Sequence, residues 1–345
     1  MSRPRLFVEL CAGSAAVSLR LVGGPCANPP ISYQGGKRGY ARAILGVLGL
    51  RQGLGASEVW LNDAGPWGPV WRVLTTPGKA EEVAAIIRGW KDEEPRALWD
   101  RLKAEGWGEL TEVGEVAALV QIASWSINKT DRWSGGFSVT EALGSEIKSA
   151  DGRVDMMRPQ TPEKIASRVE AVARWLVCGA WTIGGKDPGT PGAGYASTAA
   201  EGNEIRSSDG RVDFMRPQTP EKLASRLSSW PTPVRAFHGS ALDVPIPEDC
   251  EGVYMYLDPP YENCTGYAAD MPREDVIACA LRWSDAGAVV CISEAVPIEI
   301  EGWHHVEITS ERKGQKRTFS KQKREWLTLN REPAWMPSVQ EGLFG

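Results

Sequence analysis

The chain has 345 residues, 42% of them apolar and 24% charged, a composition that excludes a mainly disordered chain and leaves room for one large domain or two modest ones. Its 39 Lys and Arg stand against 44 Asp and Glu, for a net charge of −5, so no global positive field holds a polyanion and any nucleic-acid contact must be local. Seven cysteines, an odd set without a CxxC pair, point to a reduced, cytoplasmic protein with no structural zinc or other metal. No apolar run approaches the ~18 residues of a membrane span, and no secretory leader is expected before the first apolar run, Leu6-Phe7-Val8. Fifteen Trp beside seven Tyr and six Phe suit a core and also offer stacking surfaces for bases.

Residues 5–10 read as a buried strand, and Ala12-Gly13-Ser14-Ala15-Ala16 turns from it into a helix reaching about residue 21. A loop rich in Gly and Pro leads to Tyr33-Gln34-Gly35-Gly36-Lys37, a helix over 39–48, and a strand over 58–61 that closes on Asn62-Asp63. Helical periodicity follows over 80–90, 95–105 and 113–127. From 128 to 213 Gly, Pro, Ser and Asp are frequent, with one convincing helix at 162–175. A structureless loop of that size does not fit inside a compact domain, so this stretch reads as a separate, substrate-facing region. Strands at 234–238, 253–257, 288–293, 305–309 and 325–329 and a helix at 273–283 complete the chain. Strands alternating with helices predict a parallel sheet covered on both faces, built from the first and last thirds. The division is 1–127, 128–230 and 231–345, the middle part being an insertion.

The middle part contains a duplication. The fourteen residues from Asp151 to Lys164 recur, with one change, from Asp209 to Lys222. Each copy ends in Thr-Pro-Glu-Lys: Thr suits an N-cap, Pro the first helical position and Glu the first turn, so each copy starts a helix.

Ligands of open parallel sheets sit at the carboxyl ends of strands, near the point where strand order reverses. Three clusters fall at such ends. Gly13 lets backbone approach a ligand, and the helix after it presents free N–H groups. Asp63 stands where a carboxylate can accept both hydroxyls of a ribose, or simply cap a helix. In Asp258-Pro259-Pro260-Tyr261 two prolines fix the backbone and remove two donors, leaving carbonyls beside a carboxylate and an aromatic face. His238, His304 and His305 lack metal-ligand spacing.

These residues resemble the Dam-like DNA adenine-N6 methyltransferases over nearly the whole chain. Asp258-Pro259-Pro260-Tyr261 matches the family's catalytic motif, with Thr265-Gly266-Tyr267 as its continuation, and Tyr33-Gln34-Gly35-Gly36-Lys37 resembles its GGK motif. Val289-Val290-Cys291-Ile292-Ser293 and Arg324-Glu325-Trp326-Leu327 are similar to its later core strands. Ser124 to Thr130, followed by Gly135-Gly136-Phe137, is similar to the entry into its target-recognition region. The chain departs from the family at Cys11-Ala12-Gly13-Ser14-Ala15, which keeps one glycine of FxGxG and lacks the aromatic. The GGK motif also follows the glycine turn instead of preceding it, and the duplication is outside the pattern.

The resemblance implies an α/β, Rossmann-like S-adenosylmethionine-dependent methyltransferase fold with an inserted target-recognition domain. It also implies double-stranded DNA as partner, no metal, and a monomer or weak dimer. Catalysis falls to Asp258, Pro259, Pro260 and Tyr261, and S-adenosylmethionine binding to Glu9, Cys11, Gly13, Ala15, Tyr33, Lys37, Asp63, Ser240 and Asp258. The adenine amine is a poor nucleophile, so the base is flipped into a pocket. There the Asp258 carboxylate and the Pro259 carbonyl accept its two hydrogens while Tyr261 stacks on the ring. For DNA the candidates are Lys129, Arg132 and Trp133, a basic and aromatic cluster; Arg158 and Arg216, which reach a phosphate or base edge or are ion-paired within the duplicated fold; and Lys313, Lys316 and Arg317, in a run of seven basic residues from Arg312 to Arg324 that is a phosphate contact or a solvated hairpin. Two rival readings are an N4-cytosine methyltransferase, which more often carries Ser in place of Asp258, and a catalytically silent DNA-binding relative.

Overall fold

The computed structural model describes residues 2–23, 29–30, 36–106, 110, 162–180, 220–227, 233–261, 269–309 and 325–335. Strand β1 (Leu6–Leu10) is buried at every position, as an apolar run in the middle of a doubly covered sheet must be. Around it stand β2 (Glu58–Asp63), β3 (Val234–His238), β4 (Val253–Leu257), β5 (Val289–Glu294), β6 (His304–Ile308) and β7 (Glu325–Leu329), in the order β3-β2-β1-β4-β5-β7-β6. The pairs from β3 to β5 are parallel; β7 is antiparallel to both β5 and β6. The fold is thus α/β with a mixed, mostly parallel sheet, compatible with a Rossmann-like architecture. The alternation of strands and helices predicts a parallel sheet. It fails at β7, which slots between its neighbours antiparallel to both and so needs no helical crossover from β6.

Helices α1 (Ala16–Val22), α2 (Ala41–Val47), α3 (Trp67–Thr75), α4 (Lys79–Gly89), α5 (Pro95–Glu105), α6 (Pro162–Ala180), α7 (Pro220–Arg226) and α8 (Arg273–Asp285) surround the sheet. Local sequence explains several boundaries. In α5 the Glu94 carboxylate accepts from the Arg96 and Ala97 amides at 2.9 and 2.7 Å, Pro95 follows it, and Gly106 ends the helix. In both copies the Pro-Glu-Lys does start a helix, α6 at Pro162 and α7 at Pro220; Thr161 and Thr219 lie outside the described residues. Helix α3 was not foreseen as a separate element, and α6 runs five residues past its expected end. The helix expected at 113–127 lies outside the described residues.

Side chains alternate along β1 between two cores. Leu6, Val8 and Leu10 pack with β4, β5 and the buried face of α8, where Trp283 is fully covered. Phe7 packs on the other face, with α1 to α5. Helices α6 and α7, from the middle third, both contact α4 and share this second core through Val172, Trp175, Leu223 and Leu227. Among the described residues no helix is long and apolar enough to cross a membrane, and no group of three or more His, Cys, Asp and Glu is placed to hold a metal ion.

Candidate active site at the β1–β4 switch point

Strand order reverses at β1: Leu6 pairs with Glu58 of β2 on one side and with Val253 of β4 on the other. The connection after β1 leads to β2 on one side and the connection after β4 to β5 on the other, which opens a crevice at the carboxyl ends of the strands. A cavity of about 240 Å3 occupies that crevice.

Its floor is the turn after β1. Cys11, Gly13 and Ala15 all adopt left-handed backbone, with φ of 54°, 47° and 52°. For Cys11 and Ala15 this conformation costs roughly 1–2 kcal/mol each, and surrounding bonds hold it. The Ala12 amide donates to the Asn62 carbonyl, and the Gly13 amide to Asp63 Oδ2, both at 2.8 Å. Asp63 Oδ1 accepts from the Gly65 amide at 2.8 Å. The Trp71 indole of α3 donates to the Gly13 carbonyl at 2.7 Å. Burial pushes the Asp63 carboxyl up to about 6, although its two amide bonds favour the charged form.

Helix α1 lacks a capping side chain of its own at Ala15. Glu9, reaching from β1, supplies one: its carboxylate accepts from the Ser18 amide at 2.7 Å and, more weakly, from the Val17 amide at 3.4 Å. Glu9 is 2% exposed, and burial raises its carboxyl to about 7.

At the opposite wall stands Asp258, the first residue after β4. Its Oδ1 takes two donors, the Lys37 ammonium at 2.7 Å and the Ser293 hydroxyl at 3.0 Å. Ser293 has one proton to give, so the 2.8 Å contact between its Oγ and Tyr256 runs with the tyrosine as donor. Lys37 also lies 3.5 Å from Glu325 Oε1 and 4.5 Å from the centre of the Tyr261 ring. The Tyr261 hydroxyl donates to that same Glu325 oxygen, and burial keeps it protonated. Lys37, Ser293 and Glu325 are 5%, 0% and 4% exposed. Burial raises the carboxyl groups of both Asp258 and Glu325, and the Lys37 ammonium pulls both back down.

The structure brings Glu9, Cys11, Gly13, Lys37, Asp63, Ser240 and Asp258 to one cavity. Ala15 does not reach it: its side chain is fully buried behind the wall, and its contribution is the backbone bend. Ser240 lines the cavity while its hydroxyl oxygen accepts from the Leu242 amide at 3.2 Å. Pro259 is buried, and Pro260 lines the cavity. Tyr33 and the DNA candidates Lys129, Arg132, Trp133, Arg158, Arg216, Lys313, Lys316 and Arg317 lie outside the described residues.

Sequence reasoning missed Ser293, Glu325 and Trp71 as site residues. Ser293 ends an apolar run at the carboxyl end of β5, the same strand-end signal that singled out Asp258. Glu325 opens β7, and because β7 runs antiparallel its beginning meets the carboxyl edge of β4 and β5. In comparison with known proteins, the chain matches no protein-family model and no curated sequence.

Proposed function

We propose that the protein transfers a methyl group from S-adenosylmethionine to the exocyclic N6 amine of adenine in double-stranded DNA, after the base is extruded from the duplex. The observation that carries this reading is the meeting of Asp258, Lys37 and Asp63, which are far apart in sequence, around one cavity at the β1–β4 switch point.

The donor set suits a cationic ligand. Glu9, Asp63, Asp258 and Asp270 line the cavity against a single Lys37. S-adenosylmethionine, when bound, supplies an electrophilic methyl group on a positively charged sulfur, and that charge matches the acidic wall. The Gly13 turn admits close approach of the ligand, and Asp63 faces it at the end of β2.

The acceptor half rests on Asp258. Lys37 and Ser293 both donate to Oδ1, so Oδ2 serves as acceptor for one amine hydrogen and the Pro259 carbonyl for the other. Accepting both hydrogens draws the nitrogen toward a tetrahedral, nucleophilic geometry. Transfer forms the N6–C bond and breaks the S–C bond, positive charge passes to N6, and one N6 proton leaves to the Asp258 carboxylate. A preorganised carboxylate in a water-poor site stabilises that developing charge. A buried ion cluster contributes little net stability, because desolvation offsets attraction; its presence at a crevice favours chemistry over scaffolding.

Mass analysis of nucleosides from DNA incubated with the full chain and S-adenosylmethionine tests the reading. N6-methyladenine is the expected product. Methylated cytosine alone transfers the reading to the N4-cytosine class, and absence of S-adenosylmethionine binding by calorimetry overturns it in favour of a silent relative.

A further inference from the structure

Behind the cavity wall a chain of three hydrogen-bonded groups runs from β4 to β5 and back. The Tyr256 hydroxyl is 2.8 Å from Ser293 Oγ, and the Ser293 hydroxyl donates to Asp258 Oδ1 at 3.0 Å. The sheet register builds this chain. Tyr256 stands opposite Cys291 in the parallel pairing of β4 with β5, so two residues further along Ser293 comes level with Asp258, and alternation puts the three side chains on one face. Tyr256 and Ser293 are fully buried, and of the three only Asp258 lines the cavity.

We propose that Ser293 is a positioning residue that fixes which oxygen of Asp258 faces the substrate amine, and that Tyr256 acts through it. The inference rests on the methyltransferase reading and names the groups that aim its carboxylate. A carboxylate turns about its last bond with little preference, and its two oxygens exchange unless a neighbour distinguishes them. The Lys37 ammonium, 2.7 Å from Oδ1, is a compact charge with three donors on a flexible stem and can follow a turning carboxylate. The Ser293 hydroxyl hangs one carbon from the β5 backbone and has a single proton, so it marks Oδ1 and leaves Oδ2 for the amine. Tyr256, donating to Oγ, commits that proton to Asp258, and hydrogen bonds in such a chain strengthen one another. Glu325 and the Tyr261 hydroxyl also face Ser293, but these two are bonded to each other. The chain ends in a buried phenol that burial keeps protonated. It therefore orients Asp258 and conducts no proton, and the proton taken from N6 leaves on the cavity side.

Ser293→Ala deletes the fixed donor without touching the cavity lining. For methylation of double-stranded DNA by the full chain, kcat is expected to fall about tenfold to a hundredfold, the worth of a hydrogen bond to a charged group, while the dissociation constant for S-adenosylmethionine stays within about twofold. The melting temperature also falls, because the Tyr256 hydroxyl loses its acceptor. Ser293→Ala combined with Tyr256→Phe removes both partners and is expected to recover most of that loss, with kcat as low as in Ser293→Ala alone. A merely structural role would return kcat together with the melting temperature. In a carbon-13 titration the Asp258 carboxyl is expected to move upward in Ser293→Ala, as a hydrogen bond to its charged form is lost. The charged groups that face it, Lys37, Glu9, Asp63 and Glu325, are the same in the variant.

Unchanged kcat in Ser293→Ala alongside an active wild type overturns the positioning role, and so does a double variant that regains rate with stability. A titration shift confined to Glu325 overturns the assignment of the Ser293 proton to Asp258, and this readout needs no activity. A wild type that neither binds S-adenosylmethionine nor methylates adenine overturns the methyltransferase reading and the catalytic purpose of the chain, while the titration still decides the bond between Ser293 and Asp258.

Discussion

Trp71 and Gly13 are joined by a hydrogen bond of 2.7 Å from the indole nitrogen to the glycine carbonyl. Helix α3 thereby fixes the turn after β1 from behind while Asp63 fixes it from the side. Trp71→Phe keeps most of the buried ring and deletes the donor. Stability should fall by about 1–3 kcal/mol, since a buried carbonyl loses its partner, and S-adenosylmethionine should bind about threefold to tenfold more weakly. Thermal unfolding and calorimetry measure the two effects. Loss of stability with an unchanged dissociation constant would show that the bond shapes the fold and not the ligand site.

Ala15 sits at φ 52° with no exposed surface. Ala15→Gly removes a left-handed penalty of about 1–2 kcal/mol but loses about 0.8 kcal/mol of methyl burial and about 0.5–1 kcal/mol to backbone entropy. It should therefore change stability by less than about 1 kcal/mol. Ala15→Val places a branched side chain in the same strained, filled position and should destabilise by more than about 3 kcal/mol. Denaturant midpoints for the pair decide: equal midpoints would mean that the backbone at residue 15 is not left-handed in solution.

Glu9 couples stability to pH. Its carboxyl rises to about 7 in the folded chain from an ordinary value of 4.5. Between those values the folded chain holds a proton that the unfolded chain has released, so stability falls as pH rises through that window and levels off above it. The slope is at most about 1.4 kcal/mol per pH unit. Glu9→Gln should flatten the decline in melting temperature between pH 5 and pH 8. Asp63, raised to about 6, acts in the same direction, so a residual slope should persist. Parallel curves for wild type and variant would contradict the burial of Glu9.

On the proposed function, Asp258→Asn retains an acceptor oxygen for Lys37 or Ser293 and removes the negative charge that would face the reacting nitrogen. Methyl transfer should drop by at least about a hundredfold, with S-adenosylmethionine binding reduced far less. Single-turnover methylation and calorimetry separate the two quantities. Parallel losses of binding and rate would place Asp258 at the cofactor alone.

The strands were legible because buried strands read as apolar runs: β3, β4 and β7 begin and end where the sequence puts them, as does α5. The carboxyl-end rule then drew attention to Asp63 and Asp258, and the structure sets both on one cavity. Ser293 and Glu325 were not legible as site residues because a single polar residue at the edge of an apolar strand has no periodic signal. Whether Glu325 meets Asp258 depends on β7 running antiparallel, which is a property of pairing and not of the strand itself. Ala15, expected at the ligand, is buried off the cavity lining, for a related reason. A motif position marks a backbone conformation, and the motif alone does not tell whether the residue there supplies a wall or only a bend.

The pairing of Leu6 with Val253 has a consequence in time. As the chain is made from its amino end, β1 and β2 can join early, but the other edge of β1 waits exposed until β4 emerges, with its backbone groups open to foreign strands. Contacts so distant in sequence form slowly. The crevice, whose two walls come from opposite ends of the molecule, is consequently among the last features to exist, and a ribosome-stalled fragment ending before β4 should be inert and prone to aggregate.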